Sequence, residues 1–231
     1  MVSDINFLLV GNSRLHWAEY SQSQYKFFHT KKNYKVKQNF DFQNLIWASV
    51  GKSPNYFLND DNQIKTKDIK LSNLPDYFGV DRALACIAAL KIIENPFKKD
   101  LLIADFGTIL SITKLNSNGS IIGGQLLPGF LTQLKSMEQN TKNLKVPKKY
   151  DIPTKDFLIN TEEAILKGVI NSLTGVINSS FNPLEDILIT CGGDSQLLTK
   201  LLKTKEKNII YSPNLVMKGM IIHYLSLKKL L

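Results

Sequence analysis

Four residues that follow an apolar run near the start of the chain could bind an anion. Residues 5–10 have the composition of a buried strand, and Gly11, Asn12, Ser13 and Arg14 come directly after them. Glycine lets a turn approach a ligand closely, and consecutive backbone N–H groups left unpaired at a strand end form an anion-binding concavity. Arginine adds a planar set of donors suited to phosphate or carboxylate. The stretch therefore predicts a phosphate-binding turn.

Two more glycine turns follow apolar runs later in the chain. Gly107-Thr108 comes after residues 101–106, and Gly192-Gly193 follows a predicted strand over 186–190. A single turn of this kind is weak support, since most glycine turns only connect strands. Three of them after buried strands favour a nucleotide site. The chain lacks G-x-x-x-x-G-K and a clear G-x-G-x-x-G, which excludes those two phosphate-binding motifs.

Asp81 and Arg82 stand at the start of a strongly apolar segment, 81–94, that predicts a helix. A carboxylate at this position suits the free backbone donors of a helix start, so Asp81 could cap the helix. Arg82 could bind an anionic group or form a surface ion pair. Arg14 and Arg82 are the only arginines of the chain, whose other basic residues are lysines. Both arginines therefore stand at candidate anion contacts.

The charge, the cysteine count and the apolar runs of the chain favour some classes of protein over others. The formal net charge of +9 comes almost entirely from scattered lysines, which favours a solvated surface over a nucleic-acid groove. Cys86 and Cys191 are predicted to be buried core residues rather than a disulfide or metal pair. Neither a membrane-crossing apolar run nor a leader-like N-terminus is evident, so we expect a cytoplasmic protein that binds neither membrane nor nucleic acid.

The elements that must position these residues fall into a rough internal repeat. Each copy begins with a strand that ends in glycine and a polar residue, continues in an antiparallel meander, and then forms a helix. The repeat predicts two similar α/β halves facing each other across a cleft, with residues 1–97 in the N-terminal lobe and 98–231 in the C-terminal lobe. Further predictions are a short strand over 68–72 and helices over 130–139, 161–181, 194–203 and 214–229.

Six stretches in a fixed order give the sequence a family resemblance. They are GNSRLHW (11–17), FGVDRALA (78–85), ADFGT (104–108), GGQLLPGF (123–130), TEEAILKG (161–168) and TCGGDSQLL (190–198). Together they resemble the type III pantothenate kinase family, within the superfamily of sugar kinases, heat-shock ATPases and actin. The resemblance implies an α/β, two-lobed actin-like ATPase (ribonuclease H-like) fold with a duplicated mixed-sheet domain.

The resemblance also implies roles for individual residues. Asp81 would be the catalytic base, and Asp105 would bind a monovalent cation such as K⁺ or NH₄⁺. The expected pantothenate contacts are Gly79, Val80, Arg82 and Thr161. The expected ATP contacts are Gly11, Asn12, Ser13, Arg14, Gly107, Thr108, Gly192 and Gly193. For Thr161, a plain helix cap is the alternative that the residues alone leave open.

Two positions depart from the family pattern. The first loop of the family reads D-x-G-N-T, with the aspartate holding magnesium and phosphate, but Leu9 occupies the aspartate position here. Ser13 replaces the threonine and keeps its hydroxyl. Thr113 stands where the second strand pair often carries an aspartate. Since leucine cannot bind a cation, this substitution predicts either weaker metal use or Mg²⁺ held by the nucleotide phosphates and water alone.

The predicted function is ATP-dependent phosphorylation of pantothenate to 4′-phosphopantothenate, the first step of coenzyme A biosynthesis. By resemblance the protein is a homodimer with a substrate pocket at the subunit interface. One alternative is a weakened or inactive family member that acts as a binding or regulatory accessory protein, which the missing carboxylate would fit. Another is a kinase of the same fold that acts on a different small alcohol.

Overall fold

The computed structural model describes residues 5–21, 24–33, 42, 44–51, 59–93, 99–202 and 208–228. The chain divides into two units. Unit 1 comprises Met1–Pro96, Asn118–Ile121 and Asn214–Leu231, and unit 2 comprises Phe97–Ser117 and Ile122–Pro213. This grouping departs from the sequence-based division mainly at the C-terminus, where the last helix belongs with unit 1 because it packs on the first helix.

Unit 1 is built on a four-stranded mixed sheet. Its strands in chain order are β1 (Asn6–Val10), β2 (Arg14–Ser21), β3 (Gln24–Lys31) and β4 (Leu45–Ser49). Their spatial order is β3-β2-β1-β4. β2 is antiparallel to both β1 and β3, whereas β4 is parallel to β1. The carboxyl ends of β1, β3 and β4 therefore lie at the same edge of the sheet.

The two faces of this sheet carry separate apolar clusters, because successive side chains of a strand point to opposite faces. One cluster consists of Leu8, Val10, Leu15, Trp17, Leu45 and Trp47. The other contains Phe7 and Leu9 together with residues of the covering helices, such as Leu84 and Met220. Leu9 is thus buried in an apolar cluster, with 6% of its surface exposed.

The helices of unit 1 are α1 (Val80–Ile92) and α5 (Leu215–Leu227). They cross closely, since a Cβ added to Gly219 of α5 would overlap the main-chain carbonyl of Leu84. Two 3₁₀ helices, Asp60–Asn62 and Thr66–Asp68, connect β4 to α1. The prediction of a strand over 68–72 is wrong. There the Asp68 carboxylate accepts a hydrogen bond from the Lys65 amide (2.8 Å), which closes a helical turn instead.

Unit 2 repeats the strand arrangement of unit 1. Its strands are β5 (Asp100–Phe106), β6 (Ile109–Leu115), β7 (Ile121–Pro128), β8 (Asp186–Cys191) and β9 (Ile209–Tyr211). Their order is β7-β6-β5-β8-β9, with β5 antiparallel to β6 and parallel to β8. A central strand with an antiparallel partner on one side and a parallel partner on the other recurs in both units. The predicted duplication of a mixed sheet is confirmed.

Three helices belong to unit 2: α2 (Phe130–Asn140), α3 (Thr161–Ser180) and α4 (Ser195–Leu201). The main cluster of this unit joins side chains of β5 and β6 to the buried faces of these helices, including Leu134 and Leu173. Cys86 of unit 1 and Cys191 of unit 2 are both buried and free, as predicted. Among the described residues, none of the helices combines the length and apolar composition needed to cross a membrane.

The Gly219 contact predicts a sharp contrast between two glycine substitutions in helices. Gly219→Ala should lower the free energy of unfolding by about 1–3 kcal/mol, because the added methyl group must separate α5 from α1. Gly175→Ala in α3 is the matched control, since its Cβ would meet nothing within 4 Å. That change should be neutral or stabilising by up to roughly 1 kcal/mol. Urea unfolding measures both, and equal losses would contradict the helix crossing.

Candidate functional site

The turn after β1 is a tight connection at the shared edge of the unit 1 sheet. The Gly11 amide donates to the Arg14 carbonyl (3.0 Å), so Asn12 and Ser13 form a two-residue loop. Asn12, Ser13 and Arg14 are all exposed. The predicted turn therefore exists where the sequence indicated, directly after a buried strand, with polar side chains open to solvent.

Gly51, just beyond β4, lies against this turn. A Cβ on Gly51 would stand 3.0 Å from the Gly11 carbonyl oxygen, 3.6 Å from Oδ1 of Asn12 and 3.2 Å from Nζ of Lys32. The Ser49 hydroxyl donates to the Gly51 carbonyl (2.6 Å) and fixes the end of β4. The parallel strands β1 and β4 thus end in two glycine turns side by side, with a lysine ammonium beside them.

His16 packs beside the same turn, with Nε2 3.3 Å from the position a Gly11 Cβ would take. Burial, together with the positive charges of His29 and Arg14, lowers the pKa of His16 to about 4. The imidazole is therefore neutral at neutral pH. The positive charge at this edge comes from Arg14 and the nearby lysines.

The start of α1 holds the Asp81 carboxylate against the helix backbone. Oδ1 of Asp81 accepts a hydrogen bond from the Arg82 amide (2.8 Å). The capping position is occupied by Gly79, two residues earlier, so the alternative of Asp81 as the N-cap is wrong. A Cβ on Gly79 would lie 2.7 Å from this Oδ1, and a larger residue there would displace the carboxylate.

Two opposing effects set the ionisation of Asp81. Burial raises the pKa of the carboxyl group, while the amide hydrogen bonds at the helix start and the charge of Arg82 lower it. Burial dominates, and the pKa lies above its ordinary value. A carboxylate with a raised pKa is a stronger proton acceptor once ionised, which suits a general base.

Arg82 is positioned by an aromatic ring rather than by a lone ion pair. Its Cζ lies 4.0 Å from the centroid of the Phe78 ring, a cation–π contact. The Thr66 hydroxyl donates to the Phe78 carbonyl (2.7 Å), which ties this segment to the second 3₁₀ helix. Partial burial lowers the pKa of Arg82. The guanidinium group is therefore held in a defined place next to Asp81.

A cavity of about 530 Å³ opens beside the start of α1. Its apolar wall includes the buried Ile64 and Val80. Its polar lining includes Ser49, Lys65, Thr66, Lys67 and Asp76, together with the backbone of Gly79. Ser49 belongs both to this cavity and to the Gly51 turn, so the cavity and the glycine turns share the carboxyl end of β4.

The candidate residues of unit 2 meet at the carboxyl ends of β5 and β8. Asp105 is opposite Cys191 in the pairing of these strands, and Gly107-Thr108 follows directly. The Thr108 carbonyl accepts hydrogen bonds from the Gly129 amide (2.9 Å) and the Thr132 hydroxyl (2.6 Å). The start of α2 therefore fixes the turn, and the Thr108 side chain remains exposed.

Gly192 must be glycine for two reasons. Its φ of +89° is a conformation that other residues rarely adopt, and a Cβ would overlap Oδ1 of Asp105. The Asp194 amide donates to the Phe106 carbonyl (3.0 Å), which joins this turn to the end of β5. Around Gly193, by contrast, a Cβ would meet nothing within 4 Å. The turn thus brings Gly192 against Asp105 and leaves Gly193 open.

Thr161 belongs to the start of α3 and not to the strand ends of β5 and β8. It is the exposed first residue of α3, and the cap is Asn160, whose Oδ1 accepts from the Glu163 amide (3.1 Å). The alternative of Thr161 as the helix cap is therefore wrong. Its hydroxyl is accessible to a ligand.

The described residues contain no group of three or more His, Cys, Asp or Glu side chains able to hold a metal ion. At the unit 1 turn, the buried Leu9 offers no ligand, and its neighbours across the sheet are His16 and Ala48. A divalent ion bound by protein carboxylates does not fit this turn. In unit 2, the Asp105 carboxylate lies at the end of β5, against Gly192.

Sequence reasoning did not identify Lys32, Ser49, Gly51 and Thr66 as site residues. Gly51 carried a signal, because it ends an apolar run in the same way as Gly11. The positions of Lys32 and Thr66 depend on strand order and on a 3₁₀ helix, which no local pattern indicated.

Comparisons with known proteins identify the family of the chain. The family model for type III pantothenate kinase matches residues 37–182. A type III pantothenate kinase from Synechocystis is 28% identical over 229 residues, which cover 92% of this chain and 87% of that protein. Another from Thermosipho africanus is 29% identical over 205 residues, covering 80% of this chain and 78% of that protein.

Solved structures are similar in fold over nearly the whole chain. A conserved Campylobacter jejuni protein assigned to the Baf family of transcriptional activators gives a TM-score of 0.69 at 20% identity, covering 98% of this chain and 100% of that chain. Component A of (R)-2-hydroxyglutaryl-CoA dehydratase from Acidaminococcus fermentans gives 0.53 at 12% identity, covering 98% of each chain. At these identities the likeness concerns the fold alone, and it confirms the predicted actin-like ATPase fold.

Proposed function

Because this chain belongs to the type III pantothenate kinase family, we propose that it phosphorylates pantothenate with ATP. The acceptor is the primary hydroxyl of pantothenate, and the product is 4′-phosphopantothenate, formed in the first step of coenzyme A biosynthesis. The observation that carries the proposal is the partly buried Asp81 carboxylate, held at the start of α1 directly after Gly79 and Val80, which line the cavity.

Asp81 acts as the general base in this proposal. Its Oδ1 is held by the Arg82 amide, so we assign proton transfer to Oδ2. As the primary hydroxyl attacks the γ-phosphorus of ATP, its proton passes to Asp81 and ADP leaves. Phosphoryl transfer depends mainly on positioning and charge stabilisation, so the base needs only to be correctly placed and ionised.

The cavity beside α1 suits an acid that carries hydroxyl and amide groups. Lys65 and Lys67 line the cavity and provide positive charge toward a carboxylate, and Arg82 stacks on the ring of Phe78, another lining residue. Gly79 and Val80, the residues before Asp81, also border the cavity. The apolar side chains of Ile64 and Val80 suit the aliphatic part of pantothenate. Thr161, with its exposed hydroxyl, is proposed as a further pantothenate contact.

We assign ATP binding to the glycine turns of both units. Gly11, Asn12, Ser13 and Arg14 of unit 1 and Gly107 and Thr108 of unit 2 present backbone amides and hydroxyls suited to phosphate. Gly192 and Gly193 are assigned to the adenosine. Asp105 would hold a monovalent cation, K⁺ or NH₄⁺, which offsets phosphate charge when bound. Mg²⁺ enters as part of the MgATP substrate.

A homodimer in the cytoplasm is also proposed. Unit 2 exposes apolar side chains that a second copy could cover, among them Ile122 (57% exposed) and Leu126 (62%) on β7, and Phe157 (94%). Exposed apolar side chains of this kind are often covered in protein interfaces.

A coupled assay of ADP formation tests the proposed activity against its rivals. With ATP, Mg²⁺, K⁺ and pantothenate, we expect turnover that stops when pantothenate is omitted. Turnover with another small alcohol, but not with pantothenate, would support a different kinase of this fold. No turnover in any mixture of cations and acceptors would support an accessory protein, which the apolar Leu9 position favours.

Asp81→Asn should lower the turnover rate without lowering the stability of the fold. We expect kcat to fall by about 10²–10⁴, the usual contribution of a general base. Because burial raises the pKa of Asp81, its stabilising contribution is greatest when protonated and is lost as pH rises through that pKa. At neutral pH the asparagine variant should therefore unfold at an unchanged or higher temperature. Near-normal turnover would show that Asp81 is not the base.

The Phe78–Arg82 contact predicts an effect on acceptor binding. Phe78→Leu keeps an apolar side chain but removes the ring beneath the guanidinium, so the KM for pantothenate should rise by roughly 3- to 10-fold, as expected for a cation–π contact of about 1 kcal/mol. Phe78→Tyr is the control and should keep the KM near that of the parent protein. Identical KM values in both variants would show that the ring does not position Arg82.

A further inference from the structure

Lys32 lies at the unit 1 phosphate turn although it is distant from that turn in sequence. It is the first residue after β3, whose last residue, Lys31, pairs with Arg14. Since β3 runs parallel to β1, the chain leaves β3 at the same sheet edge as the Gly11 turn. From there the Lys32 side chain reaches across to the Gly51 turn, where Nζ lies 3.2 Å from the place of a Gly51 Cβ.

The position of this ammonium group differs from that of an ordinary surface lysine. Most lysine side chains extend into water, but Nζ of Lys32 is close to the one edge where Oδ1 of Asn12 and the Gly11 carbonyl also converge. A Cβ at position 51 would crowd the Gly11 carbonyl oxygen and Nζ of Lys32, and would touch Oδ1 of Asn12 at an ordinary contact distance. Glycine at position 51 therefore leaves room for the ammonium group beside the turn.

Positive charge at this turn has no carboxylate to offset it in the described part of the chain. The ion pairs found there involve Lys114 and Lys167, and none joins Arg14 or Lys32 to an acidic side chain. The residue two positions before Gly11 is Leu9, which is buried among apolar side chains. His16 is neutral near pH 7 because burial lowers its pKa. The local groups are thus cationic or neutral.

We propose that Lys32 is a phosphate-binding residue of this turn. Its ammonium group donates directly to a phosphate oxygen of the nucleotide, so unit 1 binds phosphate without a divalent ion held by a protein carboxylate. The inference rests on the proposed nucleotide-dependent function and deepens it. A lysine ammonium is an effective point-charge donor to phosphate, and it explains how a turn without a carboxylate retains affinity for ATP.

Titration calorimetry of the full chain with ATP in excess EDTA tests the proposal. We expect the parent protein to bind ATP without divalent ions and Lys32→Gln to bind at least about tenfold more weakly, as for loss of a charged hydrogen bond. Lys32→Arg should retain most of the affinity. Lys26→Gln is the matched control, because Lys26 is an exposed lysine of the same strand that lies opposite Glu19, away from the turn. It should bind within twofold of the parent.

Two results would overturn the proposal: ATP binding by the parent protein only when Mg²⁺ is present, or equal affinity of Lys32→Gln and Lys26→Gln. Since Lys32 is exposed, the unfolding midpoint of Lys32→Gln should match the parent and show that any loss is local. The kinase proposal fails separately. Lys32-dependent ATP binding without pantothenate turnover would overturn only the kinase, and turnover with Lys32-independent binding would overturn only the role of Lys32.

Discussion

The Asp81 carboxylate accepts hydrogen bonds from backbone amides at the start of α1, and the proposed function of unit 1 depends on this contact. The helix start favours the ionised form, whereas burial opposes it, and the balance leaves a carboxylate that ionises above its ordinary range. Gly79 leaves space for the carboxylate, and Phe78 beneath Arg82 fixes the neighbouring cation. A carboxylate and a guanidinium group are thereby held on adjacent residues at the start of one helix.

Unit 2 holds its aspartate in a different way. Asp105 lies at the end of a buried strand, and its carboxylate packs against the left-handed Gly192. Unit 1 therefore places a carboxylate on a helix, where it can accept a proton. Unit 2 places one at a strand end, where a turn surrounds it with main-chain groups. The duplicated sheet provides two equivalent edges, and the two edges carry different chemistry.

Sequence patterns predicted most strands and helices, because apolar runs that end in glycine or proline have few alternatives. The glycine turns and the Asp81 region also followed from local sequence. The predicted helix starts lie within one residue of the observed ones, but the capping residues differ, since Gly79 and Asn160 cap these helices in place of Asp81 and Thr161. The alternating residues 68–72 resembled a strand, but one hydrogen bond between Lys65 and Asp68 decided otherwise. Lys32 and Thr66 were missed because strand order and a distant 3₁₀ helix determine their neighbours.

Unit 1 is discontinuous along the chain, and this has a consequence for how the protein forms during synthesis. Its sheet and α1 come first, but α5, which packs on α1 through Gly219, follows all of unit 2. A ribosome must therefore produce more than a hundred further residues, as the order of elements requires, before the helix bearing Asp81 gains its partner. Fragments that stop before residue 215 would lack this support. Contacts so distant in sequence form slowly, so unit 2 is expected to mature earlier.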